Sequence, residues 1–300
     1  MFAIPRLLLR LLLTDRAALP VALRSVGLAT RFGVRNRLSR ESVVGDVDVD
    51  VCVTTFGSRT ASAYLALESI GAGSTRPRRL ILWIDEPDVL ANPPATLRRL
   101  RRRGLEIAAC ENWGPHKKQY PYVVAPGAGT SPFATADDDT FYPASWLAEL
   151  VESHRDDPTV VHGHRAHRIV AEGGAIAPYS RWVAETTDRP GFATLCTGVG
   201  GIIYPAPMVT ALREAGTRFL DVAPTADDLW VHAVAVGSGI RSAQVGTVSR
   251  DYPQILRRAV GSLFSKNVAG GGNDRQIARA LTGVALARVL GDADERMLHG

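Results

Sequence analysis

The stretch Phe133-Ala134-Thr135-Ala136-Asp137-Asp138-Asp139-Thr140-Phe141-Tyr142-Pro143 decides how this 300-residue chain is read. Four uncharged residues read as a buried strand, and three carboxylates follow them without a spacer. Adjacent carboxylates repel one another, so three of them straight after a buried strand demand a stabilising partner. A divalent cation is the natural one. Alternate side chains of a turn can share a side, which lets Asp137 and Asp139 face a metal while Asp138 turns toward bound ligand or solvent. Mn2+ or Mg2+ takes one or two carboxylates and completes its shell with phosphate oxygens. The competing reading is a surface acidic turn in which an Asp caps the helix expected over Trp146 to His154.

Upstream of this stretch the chain alternates strands and helices. Val47 to Thr55 reads as a strand entering a core, Phe56-Gly57-Ser58-Arg59 as a turn, and Ala61 to Ile70 as a helix closed by Gly71 and Gly73. Leu80 to Ile84 is a second strand, ending at Asp85-Glu86-Pro87. Thr96 to Arg103 is a helix stopped by Gly104, and Leu105 to Ala109 a third strand. Residues 112 to 126 read as a loop leading into a short helix. Downstream, Val160 to His164 and His167 to Val170 are short strands, with a hairpin-like turn at Glu172-Gly173-Gly174. An apolar, glycine-rich stretch runs from Phe192 to Tyr204. Ala226 to Val236 is a helix opened by an acidic pair, Ile240 to Val245 a last strand, and Arg275 to Leu290 a closing helix. This order predicts an α/β/α sandwich with a mixed, mainly parallel sheet and ligands at the carboxyl ends of its strands.

The net charge of +5 is unevenly placed. Residues 1–45 hold eight Arg against Asp15 and Glu41, a net of +6, which leaves −1 for the rest. The body therefore lacks the positive stripe a nucleic-acid enzyme carries, and no nucleic-acid partner is expected. The run Arg98, Arg99, Arg101, Arg102 and Arg103 reads as a solvated helix end helped by the macrodipole. The division expected is a basic, leucine-rich amphipathic leader over 1–45, one domain over 46–265, and a C-terminal loop and helix over 266–300. The leader never reaches the ~20 apolar residues of a spanning helix, and Arg10 and Pro20 argue against a signal peptide. It reads either as an interfacial helix making peripheral membrane contact or as a helix packed on the body. Cys52, Cys110 and Cys196 are few, odd in number and set in apolar stretches, which argues against a disulfide framework or a zinc site and fits a reducing, cytoplasmic setting.

Other residues invite chemical readings. Lys117 and Lys118, beside His116 and Tyr120, could neutralise a diphosphate or could line a solvated face. His162 and His164 share a strand face, yet no Cys or acidic residue nearby completes a zinc set with them and His167, so ordinary strand histidines are expected. Gly271-Gly272-Asn273-Asp274 reads as a mobile loop or as a helix cap.

The run Thr135 to Pro143, followed by Trp146-Leu147, resembles the metal-binding D-x-D segment of GT-A glycosyltransferases, including bacterial enzymes that build cell-surface polysaccharides. Further similar points are Thr54-Thr55-Phe56 with Arg59, Gly198-Val199-Gly200-Gly201 leading to Tyr204-Pro205, and Ala226-Asp227-Asp228-Leu229-Trp230. The resemblance implies a GT-A-like, Rossmann-type domain with a nucleotide-binding half over 46–140 and an acceptor half over 141–265. It implies a nucleotide-sugar donor, UDP-linked by expectation, held near Thr54, Thr55, Phe56, Arg59, Asp85, Lys118, Asp137 and Asp138. Asp137 and Asp139 would hold Mn2+ or Mg2+, and Gly200, Gly201 and Trp230 would lie near a saccharide or lipid-linked acceptor. In similar inverting enzymes an Asp at the position of Asp227 or Asp228 deprotonates the acceptor hydroxyl, Asp228 being preferred here. The alternative is that the pair only caps its helix.

Two other functions fit parts of the pattern. A phosphohydrolase of the haloacid-dehalogenase kind also uses paired aspartates after a strand. Its motif wants Thr or Val two residues beyond the second Asp, where Phe141 stands, and it follows the first core strand rather than the fourth. A non-catalytic, saccharide-binding relative would keep the fold but have no need of the intact triplet. No Rossmann glycine fingerprint and no P-loop lysine motif is present, so dinucleotide redox and ATP hydrolysis have no support.

Overall fold

The computed structural model describes residues 19–126, 131–256 and 271–299. Helix α1 (Leu19–Leu38) precedes strand β1 (Val47–Thr54), helix α2 (Thr60–Gly71) and strand β2 (Pro77–Ile84). Two short helices, α3 (Pro87–Ala91) and α4 (Ala95–Arg101), lead to β3 (Leu105–Ala109), and a 3-10 turn over Gly114–Lys118 leads to α5 (Tyr120–Val124). Strand β4 (Phe133–Ala136) and helix α6 (Trp146–Asp156) follow. Then come β5 (Val161–Gly163), β6 (Ala166–Arg168), the hairpin β7 (Ala171–Glu172) and β8 (Ala175–Ile176), and β9 (Val183–Ala184). Strand β10 (Thr194–Cys196), a 3-10 turn over Gly198–Gly200 and β11 (Ile202–Tyr204) precede α7 (Ala206–Ala215), α8 (Phe219–Val222) and α9 (Asp227–Gly237). Strand β12 (Ser242–Gln244) and helices α10 (Gly272–Ala280) and α11 (Gly283–His299) complete the order.

The main sheet has seven strands in the order β12-β5-β11-β4-β1-β2-β3. β1, β2, β3 and β4 are parallel, β12 is parallel to β5, and β11 runs antiparallel between β4 and β5. This is the mixed, mainly parallel sheet the element order predicts. Successive side chains of a strand alternate faces, and β1 shows the result: Val49, Val51 and Val53 enter one apolar layer with α2, α4 and α6, while Cys52 enters the opposite layer with α5, α7 and α9. A third apolar cluster joins the far side of α9 to α10, α11 and the small antiparallel sheet β10-β6-β9. Helix α9 is thus apolar nearly all round and buried on two sides, which leaves its first turn as the part carrying charge.

The hairpin turn is present, with Gly173 at φ 59° and Gly174 at φ 77°, the pair of positive angles a tight two-residue connection needs. The closing helix differs from expectation. It is two helices, broken where Gly283 adopts φ 53° after Leu281 ends α10. Neither Asn273 nor Asp274 caps α10: Gly271 occupies the cap position, and Asp274 accepts the Tyr179 N–H at 2.7 Å from another part of the fold. Gly270, and residues 1–18 with Arg6, Arg10 and Arg16 of the basic segment, lie outside the described residues.

The described part of the basic segment packs on the body. Phe32 stacks on Phe141 with ring centroids 5.8 Å apart, in a cluster with Leu65, Ala66 and Ile255. Asn36 donates to the fully buried Glu68 at 2.9 Å. Arg103 closes the same carboxylate from the other side, at 2.6 and 3.2 Å. The arginine run is therefore not uniformly a solvated helix end, because Arg103 is buried in an ion pair that ties α1, α2 and the end of α4 together. Among the described residues, no helix is long and apolar enough to cross a membrane.

Removing one partner of a buried ion pair strands the other charge. Arg103→Ala is expected to lower the unfolding free energy by about 3 kcal/mol in urea titrations. A change under about 0.5 kcal/mol, the scale of an ordinary surface substitution, would show that Asn36 and Arg35, whose Nε lies 3.3 Å from Glu68 Oε2, suffice for this carboxylate.

Candidate functional site

The carboxyl ends of β1, β2 and β4 lie side by side. From β1 the chain proceeds outward to β2 and β3 and then returns to place β4 on the other flank of β1, so the β1–β4 boundary is the topological switch point of the sheet. Open α/β sheets bind ligands at such a point. Thr55, Asp85 and the Asp137-Asp138-Asp139 triplet all stand at this edge, as their positions after strands predict.

The three aspartates diverge. Asp138 turns inward, its side chain only 4% exposed. Thr55 Oγ1 donates to its Oδ2 at 2.6 Å across the switch point. Arg59 Nε donates to both its oxygens at 3.1 and 3.2 Å. The expectation that Asp138 turns toward ligand or solvent is corrected: it anchors the turn from within. Because alternate residues point opposite ways, Asp137 and Asp139 are left on the outer side, each 26% exposed. Asp139 also receives Arg59 Nη2 at 2.5 Å, and its carbonyl accepts the Ile255 N–H at 2.7 Å. The Asp137 N–H donates to Tyr142 Oη at 2.8 Å, so the aromatic residue behind the triplet fixes the first carboxylate's backbone.

Lys118 joins this turn to the start of α9. Its Nζ lies 2.8 Å from Asp137 Oδ1 and 2.9 Å from Asp227 Oδ2. Burial alone would pull its proton off, but Asp137, Asp227 and Asp228 together hold its proton affinity well above the ordinary lysine value. It is a fixed cation, not a solvated one. Asp228 reaches across to the Gly198 N–H, 3.1 Å from its Oδ2. The residue at the cap of α9 is Ala226, which has no side-chain acceptor, so a helix-capping role does not account for Asp228. Burial, and then the neighbouring Asp227, push Asp228 up to about 7, against the opposing pull of Lys118 and the Gly198 N–H. A Cβ added at Gly198 would stand 2.8 Å from Lys118 Nζ and 3.0 Å from Asp228 Oδ1. Only glycine lets these groups approach the loop so closely.

The remaining expected residues divide. Asp85 is held by an ion pair with Lys117. Lys117 and Arg59 flank the ring of Phe56, at 5.8 and 5.3 Å from its centroid, and Phe56 remains 48% exposed. Thr54 Oγ1 is turned to the sheet, donating to the Trp83 carbonyl at 3.1 Å. Gly200 and Gly201 have a different reason for lacking side chains. A Cβ at Gly201 would fall 2.4 Å from the Trp146 indole nitrogen, and one at Gly200 would meet the Arg165 backbone at 2.8 Å. Trp230 points into the core against Phe219, with ring centroids 6.2 Å apart, and is 5% exposed. These three residues serve packing where an acceptor contact was expected. His162 and His164 bond the carbonyls of Asp157 and Trp146, at 3.0 and 2.9 Å, as ordinary strand histidines do.

Sequence reasoning passed over Gly198 as a contact residue and Tyr142 as the backbone clamp. Both stand inside motifs already singled out, but only the distances distinguish Gly198 from Gly200 and Gly201. Oxygen donors of the Asp137 and Asp139 type fit a hard divalent cation that keeps several non-protein ligands. Among the described residues, no group of three His, Cys, Asp or Glu side chains forms a complete metal cage. Any such ion here draws part of its shell from a bound phosphate or from water.

No family model matches the chain, and no curated protein matches it. Solved structures of similar fold include the mannosyltransferase PcManGT from Pyrobaculum calidifontis in complex with GDP-Man and Mn2+, at 16% identity over 94% of this chain and 91% of that one, TM-score 0.44. Another is TarS of S. aureus, residues 1–349, at 14% identity over 84% of this chain and 72% of that one, TM-score 0.46. A third is CMP:2-keto-3-deoxy-manno-octonic acid synthetase complexed with CTP, at 12% identity over 75% of this chain and 98% of that one, TM-score 0.38. Likeness at this level leaves function to be read from the site.

Because Asp228 binds its proton more tightly folded than unfolded, its contribution to stability is fully present below pH 3.8 and is lost as pH rises through about 7. Asp228→Asn removes that loss while keeping an oxygen for Gly198. The variant is expected to melt higher than the parent at about pH 8, with the gap closing toward about pH 4. Thermal melts across this range check it, and a gap that widens toward acid contradicts the assignment.

Proposed function

We propose that this chain is a metal-dependent glycosyltransferase that moves a hexose from a nucleotide sugar, taken to be a UDP-sugar, to a hydroxyl of a saccharide or lipid-linked acceptor with inversion. One observation carries the reading. A single point beside Gly198 lies 3.0 Å from Asp228 Oδ1, 3.8 Å from Asp137 Oδ1 and 2.8 Å from Lys118 Nζ. A base candidate, a metal-ligand candidate and a fixed cation thus converge on one spot at the switch point of the sheet.

The division of labour follows from charge. Asp137 and Asp139 would hold the divalent ion, which when bound would supply electrostatic neutralisation of the departing diphosphate. Arg59 and Lys118 add fixed positive charge beside the same leaving group, worth most where water is excluded. Asp138 and Thr55 keep the turn in place, and the exposed face of Phe56 offers a nucleobase a stacking surface. Asp228, with its proton affinity raised toward neutrality, takes the proton of the acceptor hydroxyl as that oxygen attacks the anomeric carbon. The attack comes from the face opposite the leaving diphosphate, hence the inversion. On this reading the chain works in the cytoplasm. The outer side of α1, where Val21, Leu23, Val34 and Leu38 are exposed among Arg24, Arg31 and Arg37, offers an anionic membrane surface a peripheral contact.

A thermal-shift panel of nucleoside diphosphates with and without Mn2+ tests the donor half. One diphosphate is expected to stabilise the protein only with the metal, by about 3 kcal/mol at a hundredfold excess over Kd. Asp139→Asn should abolish the metal-dependent part. For the acceptor half, Asp228→Asn is expected to lower kcat by about 10²- to 10⁴-fold while leaving that nucleotide shift intact. Retention of anomeric configuration would remove the base assignment. Phosphate release from generic phosphomonoesters without any use of nucleotide sugars would favour the phosphohydrolase reading. Metal-insensitive nucleotide binding with no turnover would favour a non-catalytic relative.

A further inference from the structure

Against Asp228 lies a cavity of about 10 Å³, close to the least volume that admits one water. Its wall includes Asp228, His232, Tyr204, Cys196 and Ser242. Asp228 and His232 are four residues apart on α9 and so share one face of the helix. His232 is 4% exposed, and neither ring nitrogen has a hydrogen-bond partner among the described residues. The nearby Phe192 carbonyl favours its protonated form without meeting hydrogen-bond geometry. Buried polar atoms seldom go unpaired, and each one that does calls for an explanation. Two of the other polar wall groups are engaged: Cys196 Sγ approaches the Ala243 carbonyl at 3.4 Å, and the Tyr204 hydroxyl meets Thr135 Oγ1 at 3.4 Å.

We infer that His232 is a positioning residue for Asp228, acting through one ordered water that occupies this cavity. The water donates one hydrogen to the Asp228 carboxylate and the other to an unprotonated ring nitrogen of His232. Burial keeps the imidazole neutral, with its proton affinity pushed down to about 4, so it accepts that hydrogen throughout the neutral range. The carboxylate is then held by two donors, the Gly198 N–H and the water. Without the imidazole the water loses its anchor, and the ionised carboxylate loses a donor it needs in a low-dielectric setting. The link therefore favours the ionised form of Asp228, the form competent to accept a proton. Other groups facing Asp228 are Asp227 on its own helix, Lys118, Asp137 at the end of β4, Tyr179, Tyr204 on β11 and Cys196 on β10. All remain in place when His232 alone is changed, so a shift on that change reports the water link.

The inference rests on the proposed function only for what the proton transfer accomplishes, since the titration is read on the protein without donor or acceptor. Carboxyl carbon NMR would follow Asp228 in the parent, His232→Gln and His232→Phe proteins. His232→Phe is expected to raise the Asp228 midpoint by about one pH unit, a tenfold smaller ionised fraction on the acid side. His232→Gln, which keeps a polar tip toward the cavity, should titrate near the parent. Superimposable curves for parent and His232→Phe would overturn the inference, as would equal shifts in both variants, which report packing alone. If His232→Phe does not fold, the unmodified protein decides. The ring nitrogen shifts of His232 should follow the ionisation of Asp228, and flat shifts through that range reject the link. Where a nucleotide sugar is turned over, the acid limb of kcat/KM should move with the NMR midpoint. Absence of any turnover would count against the proposed function while leaving the titration result standing.

Discussion

The site depends on Lys118 being charged where it is buried. A lysine ammonium out of water is costly unless carboxylates surround it, and here Asp137, Asp227 and Asp228 do so. The arrangement works in both directions. Each of those carboxylates would repel the others if the ammonium were removed, so the cation holds together a turn after β4 and the first turn of α9, which lie about ninety residues apart in the chain. Gly198 lets the three-way contact close by presenting only backbone to it.

Around that contact the fold distributes rigidity. The parallel core of β1, β2, β3 and β4 brings Thr55 and the aspartate triplet to one edge, and the inward Asp138 converts the turn into a braced element through Thr55 and Arg59. On the other side, α9 is gripped by two apolar clusters, so its N-terminal carboxylates are carried on a buried rod rather than on a loop. Side chains mounted on such elements hold their geometry better than side chains on mobile connections. The same principle applies at a distance from the site, where buried Glu68 binds α1 to the body through Asn36 and is closed from the opposite side by Arg103.

The strands were the most legible part of the chain. β3 and β4 begin and end where the apolar runs do, and β1 and β2 differ only by a few residues at their ends. Periodicity and glycine punctuation are local signals, and local signals suffice for local elements. The single closing helix expected over Arg275 to Leu290 failed because the chain uses the positive φ of Gly283 to start a second one. In the candidate site, residue type marked the turn after β4 and the start of α9 but not the direction of each side chain. Asp138 is indistinguishable from its neighbours in sequence, and Gly198 from Gly200 and Gly201.

What the sequence by itself determined is the α/β alternation, the mainly parallel sheet and the concentration of acidic residues at strand and helix ends. These follow from side-chain volume and polarity repeating at the periods of strand and helix. What only the tertiary structure decided is which aspartate turns inward, which glycine meets Lys118, that Trp230 belongs to the core, and that Cys196, Tyr204 and Ser242 close a cavity over Asp228 and His232. Those facts depend on distances between segments remote in the chain, and a linear pattern of residue types carries no record of such distances.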